Sequence, residues 1–186
     1  MASRATGFAH HASMPTIVSH PVVSFALRRW FGREPLPWRI VTAGALGAIL
    51  PDLDTIGPAL GVRYGSTFGH RGFTHSIVFA LLLAAVAALL LRPERRAFAF
   101  VFVCTLSHPL LDALTNGGRG VAFFSPFSNH RYFFPWRPIA VSPIGRFDVG
   151  VFLSELTWVW LPAIAVAVMA RIPQSIDRYG RGSEKG

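Results

Sequence analysis

The sequence predicts an all-α membrane protein, a polytopic helical bundle of four to five transmembrane helices. Charged residues make up only 15% of its 186 residues, against roughly 25% in soluble domains. Hydrophobic residues reach 52%, and the mean hydropathy is +0.43. Several apolar runs approach the roughly 20 residues that cross a bilayer. A chain this short would have to bury them all in one soluble core.

The apolar runs come in order. The first, 16–30, is short for a span and ends in Arg28-Arg29 rather than at a small-residue cleavage site, so no cleavable signal is expected. Residues 1–13 are polar, and Met14-Pro15 reads as an alternative start that would make them an upstream extension. A basic, proline-bearing connector leads to the run 40–50, which ends at Pro51-Asp52-Leu53-Asp54. Gly57, Pro58, Gly61 and Gly65 then predict a loop. The clearest span is 73–91, closed by Arg92-Pro93-Glu94-Arg95-Arg96. The next helix, 97–114, carries His108, Pro109 and Asp112 near its far end. A connector rich in aromatics and prolines reaches residue 150. A last span follows at 151–170, and residues 173–186 form a polar basic tail. The membrane-embedded domain is thus read as 14–172.

Basic residues set the orientation. With 92–96 cytoplasmic, alternation puts 28–39 and 171–186 on the same side, giving 11 Lys/Arg in 33 residues there against 7 in 61 opposite. The C-terminus is therefore expected in the cytoplasm. The net charge of +9 lies largely in these flanks, so nucleic acid is not an expected partner. The single cysteine, Cys104, sits in an apolar run and has no intrachain partner for a disulfide.

On that topology the polar residues converge. Asp52 and Asp54 end the second helix on the outer side, and His70 and His75 begin the third there. His108 and Asp112, four apart on one helix face, end the fourth. His20 joins them if the first helix spans. Ionisable groups at membrane depth are costly and mark function. Mixed imidazole and carboxylate donors suit Zn or Mn, with Fe as a further option, better than Mg or Ca alone. Seven candidate ligands exceed one tetrahedral site and fit two ions that activate water and clamp an ester oxygen. Asp52 or Asp54 would bridge the ions or act as base. Arg71 would steady developing negative charge, or would be an ordinary snorkelling arginine. His130, Asp148 and Glu155 are possible additions, Glu155 the most interesting because it lies within the last span. The segment 121–147 reads either as an interfacial lid or as a re-entrant plug.

At these residues the chain resembles the YdjM-like family of bacterial inner-membrane proteins, described as membrane-bound, metal-dependent hydrolases. The matching elements are Met14-Pro15 through His20, Pro51-Asp52-Leu53-Asp54, the block from His70 to Ser76, and Ser107-His108-Pro109-Leu110-Leu111-Asp112 with Thr115. The segment from Ser125 to Ser128 also resembles the family's connector. The resemblance implies an inner-membrane location, a metal-dependent hydrolase activity, and metal ligation by His20, Asp52, Asp54, His70, His75, His108 and Asp112. The expected substrate is a phospholipid or another lipid-associated ester, with the lipid bilayer as partner. The sequence leaves three other readings open: a metal-binding or metal-transporting protein without hydrolysis, a bis-histidine haem protein using His75 and His108, and a purely structural membrane module. It names neither the substrate nor the oligomeric state.

Overall fold

A computed structural model of the chain describes residues 13–14, 19–92, 94–143 and 148–172. The tail 173–186 and the extension before residue 13 lie outside them. The fold is helical: α1 (Val22–Ala26), α2 (Trp38–Gly47), α3 (Ile77–Leu90), α4 (Ala97–Ala113), α5 (Val149–Glu155) and α6 (Leu161–Met169). Among the described residues the one sheet is a two-residue antiparallel pairing, β1 (Ser13–Met14) with β2 (Ser142–Pro143).

Among the described residues, two continuous helical stretches are long and apolar enough to cross a membrane, Trp38–Leu60 with 23 residues and Val149–Met169 with 21. The first joins α2 to a 3-10 segment, Leu50–Leu60. Of the residues expected to open a loop after Asp54, Gly57 and Pro58 instead lie within this tighter helix, which ends at Gly61 in the left-handed region (φ 79°), and Gly65 lies in the turns beyond it. The second joins α5 and α6 through a π-helical stretch, Leu156–Trp160. α3 and α4 are apolar but shorter, with 14 and 17 residues.

The expected first span takes another form. Its described part holds only the five-residue α1 and a 3-10 turn, Leu27–Arg29. Pro21 immediately precedes α1. Lacking an N–H, proline is suited to a helix start and not to an interior.

α4 packs against both α2 and α3, and α1 against α2 and α6. The apolar core gathers Leu36, Ile40, Val41, Ala84, Ala97, Phe100, Val101 and Cys104. α2 and α4 approach closely at glycines. A Cβ on Gly44 would lie 2.5 Å from Phe100 Cε1 and 3.0 Å from Cys104 Sγ. This contact fills the half of α4 that precedes its polar residues.

Candidate metal centre

Four pieces of chain meet at the other end of α4. The 3-10 segment starts with Pro51 in its first turn and carries Asp52 and Asp54. A 3-10 helix advances about 120° per residue. Two positions apart, these carboxylates meet His75 from different sides, Asp52 at Nε2 and Asp54 at Nδ1. A second short 3-10 turn, Phe73–His75, precedes α3, and Ser76 caps that helix by accepting from the Phe79 N–H at 3.1 Å. The turn before it is crowded. A Cβ on Gly72 would collide with the carbonyl oxygens of Thr67 and Gly69, so only glycine fits there. Arg71 takes a left-handed φ of 59°, a conformation non-glycine residues seldom adopt. Its N–H donates to Asp54 Oδ2 at 3.1 Å. α4 supplies His108 and Asp112 one turn apart, and the turn before α1 supplies His20.

Among the described residues, six of the seven sequence-predicted ligands converge into two groups of ligand atoms that share His75: Asp52, His75, His108 and Asp112, and Asp54, His70 and His75; His20 lies beside them but belongs to neither group. In the first, His75 Nε2 lies 3.1 Å from His108 Nε2, 3.3 Å from Asp112 Oδ2 and 3.7 Å from Asp52 Oδ1. His108 Nε2 lies 3.3 Å from Asp52 Oδ1 and 3.8 Å from Asp112 Oδ2. Tetrahedral ligands bonded at about 2.0–2.1 Å stand roughly 3.3 Å from one another. These separations match that spacing.

Hydrogen bonds on the outer ring nitrogens explain why these atoms face inward. His108 Nδ1 is 2.7 Å from the Ala48 carbonyl oxygen, which can only accept, so Nδ1 carries the proton and Nε2 the lone pair. His75 Nδ1 is 3.1 Å from Asp54 Oδ2, which assigns its tautomer the same way. With both Nδ1 atoms engaged, the two Nε2 atoms face each other across 3.1 Å, a separation that calls for a shared proton or a shared cation between them. A carbonyl or carboxylate on the far nitrogen is the usual support of a metal-ligating histidine.

Asp54 accepts from several sides. His70 Nδ1 lies 2.6 Å from its Oδ1, and the Thr74 hydroxyl donates to its Oδ2 at 2.6 Å. With the Arg71 N–H and His75 Nδ1, this carboxylate ties the turn 70–75 to the 3-10 segment. His70 Nε2 and Asp52 Oδ2 are buried and have no hydrogen-bond partner among the described residues. The same holds for both ring nitrogens of His20, whose ring stacks on His108 with centroids 3.8 Å apart and planes 27° apart.

Arg71, fully buried, is committed within the protein. Its Nε lies 3.0 Å from Asp112 Oδ2 and its Nη2 donates to Asp112 Oδ1 at 3.0 Å, a forked pair. Nη1 donates to the Thr115 hydroxyl at 3.2 Å and the Gly117 carbonyl at 3.1 Å. Gly118 leaves it room, since a Cβ there would lie 2.7 Å from Nη1. Around this cluster, Asp52, Asp54 and Asp112 bring three negative charges against one on Arg71. Neutral imidazoles leave a net −2, and charge buried in this way needs a partner. Unpartnered acceptors, tetrahedral spacing and the residual charge together fit a divalent cation.

The other sequence candidates lie apart. His130 is exposed and stacks edge-on against Tyr132, 4.6 Å between centroids. Asp148 caps α5, accepting from the Val151 N–H at 3.1 Å. Glu155 is buried but belongs to neither ligand group. In the 121–147 connector, Val121, Ala122 and Ser125 are buried while Phe124 and Phe127 are exposed; residues 144–147 lie outside the described residues. The Ala48 carbonyl had no signal in the sequence. The roles of Asp54 and Arg71 as internal partners had only their proximity to the histidine block.

The profile of the YdjM inner membrane protein family matches residues 10–176. Inner membrane protein YbcI of Escherichia coli (strain K12) is 40% identical over 167 residues, covering 84% of this chain and 96% of its own length. Inner membrane protein YdjM of the same organism is 37% identical over 93 residues, 44% of this chain and 47% of its own. The uncharacterized protein YvsG of Bacillus subtilis (strain 168) is 33% identical over 101 residues, 50% of this chain and 61% of its own. No solved structure matches the chain.

Proposed function

The chain belongs to the YdjM family of inner membrane proteins, and from that premise we propose that it is a multi-pass bacterial inner-membrane hydrolase whose buried His/Asp cluster holds divalent metal, Zn or Mn. The observation that carries this reading is the pair of imidazole Nε2 atoms facing each other at 3.1 Å between two carboxylates. In this reading α3 and α4 complete the set of spans, and the metal cluster faces the non-cytoplasmic side. A reporter fused after Ala170 should then read cytoplasmic; a periplasmic signal would invert the site.

The residues divide the work. Asp52, His75, His108 and Asp112 hold the first ion. His20 and His70 offer further nitrogen donors for a second. Asp54 orients His70 and His75, and the Ala48 carbonyl orients His108. Arg71 acts through Asp112, holding that carboxylate and offsetting its charge. Asp52 keeps one oxygen without a partner among the described residues, suited to accept a proton from water. The chemistry a divalent ion supplies when bound at such a site is water activation and polarisation of an ester oxygen. One divalent ion balances the net −2 of the cluster. A second favours an anionic ligand, which points to a phosphate ester carried by a lipid.

The test is elemental analysis of the purified full chain, followed by hydrolysis assays on phosphatidylglycerol, phosphatidylethanolamine and a soluble phosphodiester. Metal near stoichiometric amounts with turnover that a chelator stops supports the reading. A protein without metal would overturn it.

Metal binding without hydrolysis is the second reading, and one observation favours it: every residue of the four-ligand set is at most 4% exposed. Bound metal with no turnover on any of those esters, and metal flux into proteoliposomes, would establish it. The haem reading draws no support from the packing, because 3.1 Å between His75 and His108 leaves no slot for a porphyrin.

A further inference from the structure

Glu155 lies outside both ligand groups yet is 1% exposed within the longest apolar stretch near the C-terminus. An acid buried at membrane depth is costly and calls for a role. Its Oε2 accepts a short hydrogen bond from the Ser19 hydroxyl. The same Ser19 oxygen accepts from Trp160 Nε1 at 3.0 Å. The hydroxyl is thereby fixed in both directions, donating to the acid and accepting from the indole. Ser19 is the residue before His20, whose ring stacks on His108 at 3.8 Å.

The local helix geometry makes this arrangement possible. Glu155 and Trp160 are five residues apart, which in an α-helix would turn them about 140° from each other. The intervening stretch, Leu156–Trp160, is instead π-helical. Its wider turn, bonded i to i+5, returns the fifth residue to nearly the same face. The irregular turn thus brings the acid and the indole together onto one hydroxyl. π-turns are uncommon and recur at functional sites.

We propose that Glu155 and Trp160, aligned by the π-turn, are positioning residues that pin Ser19 and so hold the His20 imidazole over His108 at the metal cluster. This rests on the metal reading above, with His20 as a ligand. Groups that orient a metal-ligating histidine contribute roughly 10–100-fold to metal affinity.

A double-mutant cycle on the full-length protein in detergent tests it, reading Zn affinity by competition with a chromophoric chelator. H20A and E155A should each weaken Zn binding by roughly 10–100-fold. The double variant should be no weaker than H20A alone if Glu155 reaches the metal cluster through His20. E155Q keeps an acceptor for the Ser19 hydroxyl and should restore most of the affinity, while W160F should lose part of it. Should E155A fail to fold, S19A carries the same cycle. If H20A lowers affinity and E155A or S19A does not, or if the two losses add, this inference falls and the metal site stands. If H20A itself leaves Zn affinity unchanged, His20 is no ligand, and this inference falls with that assignment.

Discussion

The two halves of α4 are held by different physics. From Ala97 to Cys104 the helix is apolar and packs on Gly44, Ile40, Val41 and Ala84, with the Phe31 ring edge-on to Phe100 at 5.3 Å. From Thr105 to Asp112 it buries His108 and Asp112 among three other histidines, two other aspartates and an arginine. The first half is specified by volume: side chains fill space, and errors appear as clashes or cavities. The second is specified by directed donors and acceptors, and an error there strands a buried charge. The apolar half can tolerate conservative change, whereas each group in the polar half depends on particular partners.

Substitutions at the two ends should separate these regimes. The largest effect is expected from H75A, which removes the side chain shared by both ligand groups. Metal content by elemental analysis should fall to background, and retained stoichiometry would sink the assignment. R71A comes next. It leaves Asp112 buried without its forked partner, and removing one member of a buried pair costs about 3–5 kcal/mol. Unfolding in a denaturing-detergent titration should show that loss, with metal content reduced as well; R71K, lacking the fork, should recover little of it.

At the apolar end G44A should cost about 1–3 kcal/mol by overpacking against Phe100. Its metal content, unlike that of R71A, should stay at the wild-type value. The smallest change is I40V, which trims one methyl from a fully buried side chain for about 0.5–1.5 kcal/mol. Metal loss in either apolar variant would show that the two halves are not separable.

Much of the cluster was legible in the chain. His20, Asp52, Asp54, His70, His75, His108 and Asp112 announce themselves because charged groups are rare among long apolar runs. The i, i+4 spacing of His108 and Asp112 fixes their shared face. The expectation that His20 would arrive on a spanning helix was not met: α1 has five residues, and His20 sits in the turn before it. The loop expected beyond Asp54 begins only at Gly61, because Leu50–Leu60 continues as a 3-10 helix through Gly57 and Pro58. The π-turn after Glu155 left no mark in the hydropathy, as its residues are as apolar as their neighbours.

Composition, hydropathy and the placement of ionisable residues determined by themselves that this is a helical membrane protein with a polar cluster where its helices end. These are properties of single residues and short windows, and transfer free energy reads them locally. Only the tertiary structure decided how the cluster divides: two imidazole nitrogens meeting between Asp52 and Asp112, Asp54 turned toward the histidines behind them, and Arg71 forked onto Asp112. Hydrogen bonds are short and directional, and the partners here lie up to about sixty residues apart, as His108 and the Ala48 carbonyl do. Spacing along the chain carries no record of such pairings, and only the packed helices bring them within reach.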